Sequence, residues 1–374
     1  MSETSRAGHF RRFTPTDYFA TLRDYHARAA MRVGIVREHT YALGPDLLRL
    51  RFVGDSLVPL LTPALAHLAT PPRPSTEGRT LTIEIWDSAT TGGEIPPAGW
   101  EEAERLARGA IGGYDDPAGR IRAHYNNDVE MVSLLDIATD TAILWSRDPA
   151  LVPAYELAAP LKVILHWWLG STARLLVHGG AVGTADGGIL VIGRGGSGKS
   201  TTCLACLAAP ETGLRYASDD YTIITDTDAP AAYSLYNSAK LHADHLWRLP
   251  RLAPLATAPD GYDGSKVILF LNERSPERLI TTFPIRALIL PRVVGGPVTR
   301  LRPMSAPAAL AALAPSTIMQ LPVAGADALG TLARLTARVP GYILELGDDT
   351  AQIPAVIALW LAQHPAHQPP AQQQ

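Results

Sequence analysis

Lysine is scarce in this chain of 374 residues: Lys162, Lys199, Lys240 and Lys266 are its only four, against 33 lysines and arginines together. Where arginine is the default cation, a lysine inside a motif is less readily put down to composition. Cysteine is scarcer still. Cys203 and Cys206 cannot build a disulfide framework, which fits a reducing compartment. Spaced i, i+3 on an expected helix, they share one side of it and read as small buried hydrophobes, with no zinc-like second pair. No apolar run reaches the length of a bilayer span. Residues 1–13 lack the apolar stretch of a secretory signal. These absences predict a cytoplasmic protein with no membrane partner. Neither sign of charge dominates: the formal net charge is −3, so no overall basic surface argues for nucleic acid. A local basic pocket for phosphates stays compatible with that balance, and so does a homo-oligomer.

What is present supports a folded protein of about two domains, with 47% hydrophobic and 18% charged residues. Residues 1–30 read as a polar, Arg-rich N-terminal extension with a helix-like piece at 17–30. Residues 31–150 read as a small α+β domain without a catalytic motif of its own. Its strands are expected at 47–53, 80–86, 121–125, 129–136 and 141–146, with a helix at 58–68 and loop chemistry at 71–78. A helix at 157–170 joins the halves, where Trp167 and Trp168 read as packing anchors. From residue 173 the pattern becomes α/β, and 151–363 reads as one domain. Strands are expected at 175–178, 188–192, 216–218, 221–225, 266–271, 285–290 and 342–346, and helices at 200–208, 306–313, 326–337 and 353–363. Residues 364–374 have the composition of a disordered tail.

Within the α/β half, Gly193-Arg194-Gly195-Gly196-Ser197-Gly198-Lys199-Ser200-Thr201 fits the pattern G-x-x-x-x-G-K-[ST]. An apolar strand leads in and a helix leads out, which is the context the chemistry needs. Glycines let consecutive backbone N–H groups turn toward phosphate oxygens, and the helix N-terminus adds positive potential. Lys199 is expected to bridge the outer phosphates of ATP, and the Ser200 hydroxyl to hold Mg2+. Lys240 and Lys266 are further candidate phosphate or substrate contacts.

Two carboxylates, Asp219 and Asp220, follow a short strand after this loop and its helix. Phosphoryl transfer needs an acidic group near the metal and another to orient or deprotonate the nucleophile. Side chains alternate along a strand, so both aspartates reach one site only if the strand has ended there. His178 closes the strand before the loop strand, where it can orient the pair or shuttle a proton.

In this order, His178-Gly179, residues 193–200 and Asp219-Asp220 resemble the HPr kinase/phosphorylase family and its HPr-kinase-like relatives. The resemblance runs over about residues 156–362. It implies a P-loop kinase domain related to phosphoenolpyruvate carboxykinase, here preceded by the small α+β domain. The implied activity is transfer of the γ-phosphoryl group of ATP to a serine hydroxyl of a peptide or protein. The implied roles are Asp219 as base, Asp220 as metal ligand with Ser200, and His178 as support for Asp219. The family's Leu-Glu-x-Arg-Gly-like segment is absent, and Ser234-Leu235-Tyr236-Asn237-Ser238-Ala239-Lys240-Leu241 stands in its place. The likeness therefore does not extend to HPr itself as acceptor or to the reverse reaction. The layout is closer to HPr-kinase-like proteins of peptide-modification pathways, including lasso-peptide kinases that phosphorylate a precursor peptide. A small-molecule kinase and a non-catalytic nucleotide sensor would use the same residues.

Overall fold

Residues 13–72, 78–96, 110–111, 119–242, 247, 249–257, 266–321 and 326–365 are described in the computed structural model. The loop read at 71–78 and the tail read at 364–374 lie largely outside them. The described residues form a mixed α/β structure whose sheets have seven, nine and three strands. Chain packing divides it into two units. One comprises Met1–His39, Leu48–Leu60 and Arg79–Val152; the other comprises Thr40–Leu47, Leu61–Gly78 and Pro153–Gln374.

The helix Pro15–Val33 (α1) starts where Thr14 accepts a hydrogen bond from the Asp17 N–H at 3.1 Å, with Pro15 in the first turn. It ends at Gly34 in the left-handed conformation. Tyr18, Phe19, Leu22, His26 and Ala29 make its buried stripe, and the apolar ones among them pack with Trp86, Leu134, Ile143 and Trp145. With that stripe, this helix packs as part of the first unit.

Strands Val36–Leu43 (β1), Asp46–Val53 (β2), Thr80–Asp87 (β3), Ala110–Ile111 (β4), Ile121–Asn126 (β5), Met131–Asp136 (β6) and Thr141–Ser146 (β7) form the seven-stranded sheet. Their order is β1-β2-β3-β7-β6-β5-β4. The helix expected at 58–68 is instead a single turn, Val58–Leu61 (α2), followed by a 3-10 segment at Pro63–Leu68. Pro63 has no N–H with which to continue the first. Another single turn, Ser88–Thr91 (α3), is capped by Asp87.

The longest segment of the second unit, Pro153–Gln374, opens with two helices, Ala154–Ala158 (α4) and Lys162–Gly170 (α5), in place of the one expected at 157–170. Pro160 interrupts the helical hydrogen bonding, and Leu161 after it adopts a left-handed φ of 61°. The next strands are Arg174–His178 (β8), Gly180–Thr184 (β9), Gly187–Val191 (β10), Arg215–Ser218 (β11), Tyr221–Thr225 (β12) and Ala231–Ser234 (β13). Ser238–His242 (β14), Ala256–Thr257 (β15), Lys266–Phe270 (β16), Thr282–Val293 (β17), Arg300–Met304 (β18) and Gly341–Leu346 (β19) complete the set.

The nine-stranded sheet runs β11-β9-β10-β17-β13-β12-β8, with β19 on β17 and β18 on β19; β14-β16-β15 is separate. β10, β17 and β19 are parallel. Alternation along β10 and its extension builds the two cores. Ile189 and Val191 face the cluster holding Cys203, Leu204, Leu207 and Trp360. Leu190 and Ile192 face the one holding Leu313, Leu332 and Leu335. Those cores receive Lys199–Ala208 (α6) and Gln352–Gln363 (α9) in the first, and Ala306–Gln320 (α7) and Ala326–Arg338 (α8) in the second. Cys203 and Cys206 are free and fully buried, as their packing role predicts. Among the described residues no helix is long and apolar enough to cross a membrane.

Candidate functional site

All the residues of the candidate site lie in the second unit. The chain leaves β10 at Val191, turns through 193–198, and enters α6 at Lys199. Gly193, Gly196 and Gly198 have φ of 128°, 77° and 103°, which a side-chain-bearing residue adopts only under strain. At Gly193 a Cβ would also stand 2.8 Å from both Leu290 Cδ1 and Ser197 Oγ. Around Gly195 and Gly196 the space is open to at least 4 Å. The loop is thus tight on its protein side and clear on the other.

No side chain caps the first turn of α6, so its orphan N–H groups are not met by a capping side chain. Lys199 is buried, and its ammonium donates to the Gly193 carbonyl at 2.7 Å and to the Arg194 carbonyl at 3.2 Å. Arg194 is exposed, while Ser197, Ser200 and Thr201 are half-buried.

Asp219 and Asp220 occupy the bend between β11 and β12. The strand has ended, so alternation no longer drives the two carboxylates to opposite faces. Asp219 is 2% exposed. It accepts from the Tyr216 hydroxyl at 3.2 Å and from the backbone N–H of Lys240 at 3.2 Å. Burial, reinforced by the Asp220 charge, pushes its pKa up to about 6, although the Lys240 charge pulls the other way.

Asp220 pairs differently. Its Oδ1 lies 3.0 Å from His178 Nε2, and its Oδ2 lies 2.5 Å from the Lys240 ammonium. The second contact is an ion pair. Burial opposes the charge of Asp220, but Lys240 and His178 outweigh it and hold the carboxyl below its ordinary range. Bonding to a carboxylate requires His178 to carry its proton on Nε2. The expectation that His178 supports Asp219 is therefore corrected: pairing of β8 with β12, with Tyr221 opposite His178, delivers the imidazole to Asp220.

Gly180, next to this strand, is required by close approach. A Cβ there would stand 2.4 Å from Cys203 Sγ and 3.1 Å from the Asp219 Cα. Sequence reasoning singled out Lys240 without its double contact, and it missed Tyr216, Glu156 and Lys162. The Lys162 ammonium lies 5.2 Å from the Tyr221 ring centre and 5.9 Å from that of Tyr155. Burial raises the pKa of half-buried Glu156 against the opposing charges of Lys162 and Lys240. Lys266 opens β16, opposite His242.

Among the described residues no group of three or more His, Cys, Asp or Glu is arranged to hold a metal ion. The donors at the bend are nonetheless carboxylate oxygens, from Asp219 and Asp220. These suit a hard cation such as Mg2+, which takes one or two carboxylates and completes its shell with water and phosphate.

No family model and no curated protein matches the chain. Among solved structures, the chain has a likeness to the structure of the Hpr(Ser) kinase/phosphatase from Coxiella burnetii. Identity is 13%, the match covers 50% of this chain and 95% of that one, and the TM-score is 0.27. A score this low does not establish a shared fold.

Proposed function

We propose that the second unit is a Mg2+- and ATP-dependent kinase domain that transfers the γ-phosphoryl group to a serine hydroxyl of a peptide or protein, a ribosomal precursor peptide being one candidate. The observation that carries this reading is the close approach of α6 to the buried carboxylate pair: a Cβ at Gly180 would stand 2.4 Å from Cys203 Sγ and 3.1 Å from the Asp219 Cα, so the helix entered through the glycine-rich loop lies against Asp219. In the proposal the N–H groups of residues 195–200 and the Lys199 ammonium receive the β- and γ-phosphates. Lys199 leaves the Gly193 and Arg194 carbonyls to do so. Ser200 and Asp219 would hold Mg2+, which neutralises phosphate charge when bound. Asp220, oriented by His178 and already ionised, accepts the proton of the attacking hydroxyl as its oxygen bonds the γ-phosphorus and ADP departs. Rate enhancement comes mainly from positioning and charge neutralisation.

A second assignment is favoured by one observation. Asp219, with a pKa of about 6, is the better tuned proton acceptor near neutral pH. Labelled γ-phosphate transfer to serine peptides, measured beside Mn2+-nucleotide binding, separates the two. With Asp220 as base, Asp220→Asn loses transfer by about a hundredfold or more while Mn2+-nucleotide affinity weakens far less, whereas Asp219→Asn loses both. The reverse pattern assigns the base to Asp219. Tight nucleotide binding with no transfer to any acceptor would refute the kinase reading and leave a nucleotide sensor.

A further inference from the structure

We infer that Lys240 is a resident counter-ion of the aspartate pair, which a divalent cation must displace, so that metal binds tightly here only when nucleotide phosphate is present to receive the lysine. The inference rests on reading the site as a metal-nucleotide site. Lys240 touches both carboxylates in different ways. Its backbone N–H reaches Asp219 at 3.2 Å, and its ammonium lies 2.5 Å from Asp220 Oδ2. The backbone is fixed by antiparallel pairing of β14 with β16, where Lys240 stands opposite Ile268. This sheet is separate from the one carrying β11 and β12.

The side chain is less constrained than the backbone. It is 19% exposed and that of Asp220 is 22% exposed, so the ion pair borders solvent. Glu156 already interacts with the Lys240 charge and offers an alternative partner within the same unit. Phosphate oxygens would offer another.

A dication and an ammonium on the same carboxylates repel each other, and the repulsion is strong at the border of a protein interior. With Lys240 in place, two carboxylates and one ammonium leave a single net negative charge for the metal. Moving the ammonium to phosphate restores the second. Nucleotide and metal would therefore bind cooperatively, with Lys240 as the coupling element.

The test uses the full chain and Mn2+ alone, followed by electron paramagnetic resonance or calorimetry, with circular dichroism checking the fold of each variant. Lys240→Met and Lys240→Gln are expected to bind Mn2+ about tenfold more tightly than wild type without nucleotide. Lys240→Arg keeps the charge and should stay within about twofold of wild type. Adding Asp220→Asn to either neutral variant should abolish the gain. The inference is overturned if whichever neutral variant folds binds Mn2+ no more tightly than wild type, or if Lys240→Arg behaves as the neutral variants do. Should wild type bind no nucleotide while Lys240→Met still gains Mn2+ affinity, the kinase reading fails and the counter-ion role of Lys240 stands.

Discussion

His178 Nε2 and Asp220 Oδ1 are 3.0 Å apart, although 42 positions separate the residues in the chain. The imidazole proton fixes one carboxylate oxygen and leaves the other to Lys240. In the proposed mechanism the histidine acts by orienting Asp220. His178→Ala is therefore expected to lower the transfer rate by about ten- to a hundredfold while nucleotide affinity stays within about twofold. Steady-state kinetics with direct nucleotide titration checks this; an equal loss in both would point to collapse of the site.

Asp219 stores instability in the absence of ligands. Its folded-state pKa of about 6 lies above the ordinary 3.8. Between those values the folded state holds a proton that the unfolded state releases, so stability from this group falls as pH rises through the window. At neutral pH the cost is about 3 kcal/mol before allowing for one weakened hydrogen bond in the amide. Asp219→Asn should thus raise the melting temperature at pH 7.5 by a few degrees, and do little at pH 4.

His67 works with the opposite sign. Burial lowers its pKa to about 4 from 6.5, while its Nε2 lies 2.7 Å from Ser234 Oγ. Its contribution is complete above pH 6.5 and is lost as pH falls toward 4, by at most about 3 kcal/mol. The two slopes offset each other in wild type. His67→Gln should therefore flatten the acid limb contributed by His67 and expose the Asp219 slope, measured by denaturant unfolding at pH 4.5, 6 and 7.5.

The loop glycines divide by surroundings. Gly193→Ala meets Leu290 and Ser197 at a φ of 128°; it should cost roughly 1–3 kcal/mol of stability as well as nucleotide affinity. Gly195→Ala meets nothing within 4 Å and should leave stability within about 0.5 kcal/mol. Any loss of nucleotide affinity in that variant then reports crowding of the ligand. Urea denaturation and a fluorescent nucleotide separate the two effects.

The elements of the α/β half were legible where apolar period and glycine chemistry agree, as in the strand–loop–helix around 193–200. β1 was not, because its first half is exposed and Val36-Arg37-Glu38-His39 has no buried alternation. α7 continues through Pro315 to Gln320, where a proline in sequence argues for an earlier end. Residues 238–242 carry too little pattern for a strand to be read there, yet β14 sets Lys240 against both aspartates. Which aspartate meets His178 was beyond the sequence, since it depends on the registry of β8 with β12.

In the proposed function, residues 193–201, with Lys199, receive the phosphates of a metal-bound nucleotide. Calorimetric titration of ATP with Mg2+ into wild type and Lys199→Ala tests it most directly. Saturable, Mg2+-dependent binding to wild type is expected, weakened about tenfold or more in a Lys199→Ala protein that remains folded. Absence of binding to wild type, or equal affinity in the two proteins, would contradict it.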